Sequence, residues 1–208
     1  MQRFRAFVDG PGRDGSSGGN RLDWTARGRL VIVRLLKRLD ALYGKRIRHL
    51  DLGGAARMAL SVVAHSGDVF VVGPVLVLLW FVGDRSLKTL AVLLAAAAVL
   101  SVGLIYIIKF TVRRNRPPGD WGGFYRRNDP YSFPSGHAAK TMTLAVVALG
   151  TGRVVPGLAL ILWSVMVGFA RVALGVHYLS DITVGFLVGL FAGIVVAILC
   201  RSFGWLPA

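Results

Sequence analysis

Five continuous apolar runs, at about residues 69–82, 90–108, 138–149, 154–173 and 182–199, take up most of residues 69–199 of this 208-residue chain. A water-soluble core of this size does not need so many unbroken apolar segments, whereas helices crossing a bilayer do. In lipid every backbone N–H and C=O must be satisfied within the protein, and for runs of this length the α-helix does so. The chain therefore reads as all-α: an integral membrane helical bundle of about five transmembrane helices. Two runs are shorter than the ~20 residues a span needs and are expected to borrow from their flanks, residues 61–68 and 135–137. A hydrophobic content of 54% fits this class.

The N-terminal third is different. Residues 1–28 carry Gly10-Pro11-Gly12 and Ser16-Ser17-Gly18-Gly19 among Arg and Asp, and read as a flexible basic tail without the apolar core of a secretory signal. Residues 29–66 read as amphipathic interfacial helices. At 100° per residue Val31, Leu35, Leu36, Leu39, Leu42 and Tyr43 share one arc, and Arg34, Lys37, Arg38 and Asp40 share the other. A basic helix of this kind suits the membrane interface, the alternative being a helix packed on the protein's own surface. Residues 67–200 form the transmembrane domain. Within it, residues 110–133 make a real loop, because Arg116-Pro117-Pro118-Gly119 cannot continue a helix.

Lys and Arg number 25 against 10 acidic residues, all of them Asp, for a formal charge of +15. Such a balance suits nucleic acid, an anionic membrane surface or an anionic substrate. The basic residues flank apolar spans and no nucleic-acid motif accompanies them, so the bilayer and a phosphate-bearing lipid are the expected partners and nucleic acid is not. Cys200 is the single cysteine, which excludes an intramolecular disulfide and a cysteine metal cluster. At the end of an apolar run it is expected to be inert.

Three short polar blocks interrupt the apolar runs: Lys109 with Arg116-Pro117, then Pro134-Ser135-Gly136-His137, then Arg171 with His177 and Asp181. Ionisable residues in such surroundings are costly, so a functional role is the default expectation. With five spans, the second ends at Lys109, the third starts at His137, the fourth ends near Arg171 and the fifth starts near Asp181. All three blocks then meet on one membrane face. Lys109, Arg116 and Arg171 are candidate phosphate ligands, Arg offering a planar fork to paired oxygens. Ser135 and Gly136 at a helix start add unpaired amides and the positive end of a helix dipole. If the last helix starts near Val176, His177 and Asp181 lie four apart on one face, so the carboxylate can fix the ring's tautomer. That makes His177 the candidate nucleophile and His137, without a carboxylate nearby in sequence, the candidate general acid and then base. The cations can do the electrostatic work of a metal, so no metal or other cofactor is expected. His49 and His65 read as structural or interfacial. Arg113, Arg114, Arg126, Arg127 and Lys140 border the site, either attracting a headgroup or simply solvated.

Lys109-x6-Arg116-Pro117, Pro134-Ser135-Gly136-His137 and Arg171-x5-His177-x3-Asp181 together resemble the three signature blocks of the type 2 phosphatidic acid phosphatase (PAP2) family, which is related to the vanadium haloperoxidases. The resemblance covers about residues 61–199. It implies phosphate binding by Lys109, Arg116, Ser135, Gly136 and Arg171, acid catalysis by His137, nucleophilic attack by His177 and orientation of His177 by Asp181. One position departs: the family usually has Ser before the third-block Arg, and this chain has Ala170. Relatives often have six spans, the first of which this chain would lack. The implied activity is a membrane lipid phosphatase working through a phosphohistidine on a polyprenyl diphosphate, phosphatidic acid or phosphatidylglycerol phosphate. The rival readings are a phosphotransferase using the same phosphoenzyme and a non-catalytic lipid-binding protein. Residues 1–66 hold 13 Lys or Arg, against Arg85, Lys88, Arg153 and Arg201 on the opposite face, so the positive-inside rule points the site of a cell-membrane protein at the cytoplasm.

Overall fold

The computed structural model describes residues 34–118 and 129–203. The chain divides into two units, Met1–Leu35 and Leu36–Ala208. Of the first only Arg34 and Leu35 are described, so the expected tail over residues 1–28 lies outside the described residues, as do Arg126 and Arg127 of the long loop. In the second unit a π-helical turn, Asp40–Gly44, runs into α1 (Lys45–Arg48). There follow α2 (Gly54–Ser66), α3 (Val69–Val82), α4 (Arg85–Val112), α5 (Gly136–Gly150), α6 (Val154–Ala173) and α7 (Leu179–Ser202). Among the described residues the only extended pairing is an isolated bridge between Asn115 and Tyr131.

A helix stands at each of the five apolar runs. Three of them, α4, α6 and α7, are long and apolar enough to cross a membrane alone, and α2 with α3 qualifies only as a pair bent by 56°. Residues 61–68 therefore do not lengthen α3 as a straight helix. The chain turns at Gly67-Asp68, where Asp68 is extended at φ −68° and ψ 154°. Helix α5 has 15 residues, about 22 Å of rise, shorter than a ~30 Å hydrocarbon core. Its neighbours extend past it. Large apolar side chains point outward on α3, α4, α6 and α7, Phe70 80% exposed, Val99 74%, Val155 79% and Phe191 61%. In water such a surface would aggregate; in a bilayer it is the wetted side.

Helix α5 packs against α4, α6 and α7. Its approach to α7 is close because small residues meet there: Ala138 and Ala139 on α5 are fully buried and face Gly185 and Gly189, and Gly193 lies against Val146. A Cβ at Gly185 would stand 2.7 Å from the Ser135 carbonyl, one at Gly193 2.6 Å from Val146 Cβ, and one at Gly189 would press on the Ala139 carbonyl. Without side chains at these positions the backbones can touch, and Thr143 Oγ1 donates to the Gly189 carbonyl at 3.1 Å. Replacing Gly189 with valine is expected to destabilise the bundle by about 1–3 kcal/mol through overpacking. A thermal melt in detergent checks this, an unchanged midpoint being the contrary result.

The N-terminal helical segment departs from the helical-wheel expectation. Asp40, placed on the polar arc, is buried. Its carboxylate accepts from the Ser180 amide (2.9 Å), the Ser180 hydroxyl (2.7 Å) and Arg114 Nη2 (2.7 Å). These three donors compensate the burial of the charge. The segment thus docks on the start of α7, while Leu42 and Tyr43 stay exposed and free to meet lipid.

Candidate active site

The three polar blocks converge. Lys109 lies near the end of α4 and is buried although charged. The helix ends at Arg113, whose left-handed φ of 50° turns the chain out of the bundle. The loop then returns on itself, with the Ser132 amide donating to the Arg114 carbonyl at 2.8 Å. This places Asp129 between the first two cations. Its carboxylate accepts from Lys109 Nζ at 2.5 Å and from Arg116 Nη2 at 2.8 Å. An anion thus already sits where the sequence expects a phosphate.

Ser135 caps α5, and its amide donates to the Asp181 carbonyl at 3.0 Å, joining the second block to the third. Gly136 stands at the helix start, where a Cβ would meet only Ile105 at 3.7 Å. Arg171 is 1% exposed; its carbonyl accepts from the Val176 and His177 amides, and its Nη1 donates to the Ala64 carbonyl at 3.3 Å.

His177 is not on the last helix. Tyr178 is extended, at φ −78° and ψ 157°, and α7 begins at Leu179, so His177 occupies the turn before it. The pairing with Asp181 persists by another route. Asp181 Oδ2 accepts from the Tyr178 amide at 2.9 Å, a cap on the helix start, and stands 3.4 Å from His177 Nδ1. That is slightly too long for a formed hydrogen bond, and Nδ1 has no other partner. At Nε2 the neighbour is Arg116 Nη1, 3.1 Å away. A guanidinium only donates, so Nε2 must be the bare acceptor nitrogen and Nδ1 must carry the proton. Burial first, then the positive charges of Arg171, Arg116 and Lys109, hold the His177 pKa well below 6.5. The ring is therefore neutral at physiological pH, with its lone pair on the side of the cations.

His137, on the first turn of α5, contacts Asp68 through Nε2. The acid candidate therefore does have a carboxylate, one that sequence proximity could not supply. Arg114, which the sequence left on the border of the site, belongs to it. It donates to Asp181 Oδ1 at 2.9 Å and to Ser180 Oγ at 2.6 Å, and lies over the Tyr178 ring at 3.9 Å. Asp68, Asp129, Arg114 and Asp40 all escaped the motif reading. For Asp68 the missed signal was a lone carboxylate between apolar segments. Lys140 is buried on α5, whereas His65 stays exposed and its Nδ1 donates within its own helix to the Ser61 carbonyl at 2.8 Å.

Comparison with known proteins gives the chain a family. Residues 89–203 match the PAP2 superfamily. YbjG of Escherichia coli (strain K12), provisionally named an undecaprenyl-diphosphatase, is 29% identical over 140 residues, covering 66% of this chain and 71% of that protein. Among solved structures, Aquifex aeolicus LpxE matches with a TM-score of 0.54 at 24% identity, over 74% of this chain and 91% of that one. The first transmembrane PAP2-type phosphatidylglycerolphosphate phosphatase from Bacillus subtilis matches with a TM-score of 0.68 at 20% identity, over 87% and 94%. At these identities the two structures speak for the fold.

Proposed function

Since this chain belongs to the PAP2 superfamily and is an integral membrane phosphatase of that kind, we propose that it hydrolyses a lipid phosphomonoester or diphosphate through a phosphohistidine at His177. The observation that carries this reading is the anion site itself. Lys109 and Arg116 grip the Asp129 carboxylate, and the same Arg116 touches the bare Nε2 of His177. A phosphoryl group replacing that carboxylate would meet a neutral, oriented nucleophile.

In the first step Nε2 attacks phosphorus and the bond to the leaving oxygen breaks as His137 protonates it. The positive charge that develops on His177 is balanced by Asp181 next to Nδ1–H. In the second step His137, now neutral, takes a proton from water, whose oxygen attacks phosphorus and releases His177. Lys109, Arg116 and Arg171, with Ser135 and the Gly136 amide, hold the phosphoryl oxygens and offset their charge, the work a metal does elsewhere. Activity is therefore expected to survive EDTA; loss on chelation with recovery in Mg²⁺ is the contrary result.

Among substrates, likeness to YbjG puts a polyprenyl diphosphate first, ahead of phosphatidic acid and phosphatidylglycerol phosphate. Phosphate release by the detergent-purified protein across these three lipids tests that order, and strict dependence on an added alcohol acceptor would indicate a transferase instead. The basic N-terminal third supports a cytoplasm-facing site in the cell membrane. With Cys200 buried, a cysteine introduced at Ser16 is expected to react with an impermeant maleimide only after the membrane is breached. Labelling of intact cells would reverse the orientation.

The depressed pKa of His177 has a sign that can be measured. The folded state holds this proton less tightly than the unfolded chain, so the stability that the neutral ring contributes is present above pH 6.5 and is lost as pH falls below it. In histidine-labelled protein the His177 NMR signal, assigned by its disappearance in His177→Ala, should remain that of the neutral ring at pH 6.5. Half-protonation there would contradict the geometry.

A further inference from the structure

The bend between α2 and α3 is built around His137. Asp68 holds the N-cap position of α3 in extended conformation, the setting in which an aspartate ordinarily caps its own helix, yet its side chain makes no cap hydrogen bond. The carboxylate is turned to His137 Nε2 instead. Gly67 beside it leaves the ring room, since a Cβ there would stand 3.3 Å from His137 Cδ2 and 3.2 Å from Thr141 Cγ2. Helix α6 holds the bend from the other side, through Trp163 Nε1 to Ser66 Oγ at 2.8 Å and Arg171 Nη1 to the Ala64 carbonyl at 3.3 Å. Both anchors lie within four residues of Asp68. The bend is thus fixed to the same helix whose last turn carries Arg171.

We propose that Asp68 is a positioning residue for the proton-transfer step, holding His137 by Nε2 so that Nδ1 is the nitrogen that works. This rests on the reading of His137 as acid and base. A carboxylate accepts only, so Nε2 carries a proton in both states of the ring. The imidazolium then gives its Nδ1 proton to the leaving oxygen, and the neutral ring left behind has its lone pair on Nδ1 to accept a proton from water. Asp68 stabilises the cationic form and fixes the tautomer. Each histidine then has its own aspartate, with opposite nitrogens committed: His177 faces Asp181 with Nδ1 and reacts at Nε2, His137 faces Asp68 with Nε2 and reacts at Nδ1. Asp68 is the carboxylate in contact with the His137 ring, among the positive charges of Arg171 and Lys140.

The test is a leaving-group comparison. kcat/KM for phosphate release is measured in detergent with dodecyl phosphate, whose alkoxide must be protonated, and with 4-nitrophenyl phosphate, whose phenolate leaves unaided. Acid–base assistance is worth about 10²- to 10⁴-fold, so Asp68→Asn is expected to lose on the order of 10- to 100-fold on the alkyl ester and less than about 3-fold on the aryl ester. Asp68→Glu, which keeps the charge, should fall between wild type and Asp68→Asn, and it carries the comparison if the amide variant does not fold. His137→Ala run in parallel should show the same bias, more strongly. An equal loss on both esters in the Asp68 variants, or no loss on either, with the bias intact in His137→Ala, would overturn the role of Asp68 alone. An equal loss on both in His137→Ala would overturn the acid assignment and the role of Asp68 with it.

Discussion

Replacing His177 with alanine is expected to abolish phosphate release, by at least about 10⁴-fold, the scale on which loss of a covalent nucleophile acts. The reason is geometric. His177 Nε2 stands 3.1 Å from Arg116 Nη1, and Arg116 shares the Asp129 carboxylate with Lys109, so no other unprotonated side-chain nitrogen among the described residues is held against the anion site. Water attacking directly would have to enter a site whose histidine is 1% exposed. The variant should still fold, because His177 lies in the turn between α6 and α7 and within neither helix. An unchanged melting temperature with no turnover is the expected pair of results. Residual turnover within about tenfold of wild type would mean that His177 is not the nucleophile.

Replacing His137 with alanine is expected to cost about 10²- to 10⁴-fold in steady-state turnover, the range that general acid–base catalysis covers. The two half-reactions should respond differently. With an aryl phosphate the leaving group needs no proton, so phosphoryl transfer to His177 proceeds while hydrolysis of the phosphoenzyme, which needs a base, stalls. Rapid mixing should therefore show a burst of 4-nitrophenolate close to one equivalent of enzyme, followed by a slow steady rate. With an alkyl phosphate the first step is slow as well, and no burst should appear. A burst with neither ester, together with wild-type turnover, would remove His137 from both steps.

Much of this was legible in the sequence because a bilayer leaves few choices. Long apolar runs must be helices, and a lysine, an arginine or a histidine inside them stands out against its neighbours, which is how Lys109, Arg171 and His177 were found. What stayed hidden depends on contacts between distant segments. Asp68 and His137 are 69 residues apart, and the pairing exists only because the chain bends by 56° between α2 and α3, where residues 61–68 were expected to continue a span. Asp129 lies late in the long loop, and its place between Lys109 and Arg116 is set by the pairing of Ser132 with Arg114. Asp40 misled for another reason. A helical wheel assigns a carboxylate to the polar face, and cannot know that Ser180 on α7 and Arg114 in the loop after α4 wait to receive it. The start of α7 matters too: the pairing of His177 with Asp181 on one helical face requires a helix starting near Val176, but the extended Tyr178 delays the start to Leu179. The His177–Asp181 pair survives because a side chain capping a helix start can reach the residue just before it.

Capture of the phosphoenzyme is the most direct measurement. The His137→Ala variant is mixed with a ³²P-labelled aryl phosphate, quenched in alkali, and the label located by peptide mass spectrometry. A phosphoryl group on His177, stable in alkali and lost in acid as a phosphoramidate is, is the expected result. Label on any other residue, or steady hydrolysis by the wild-type protein with no labelled protein in either form, would contradict attack by His177.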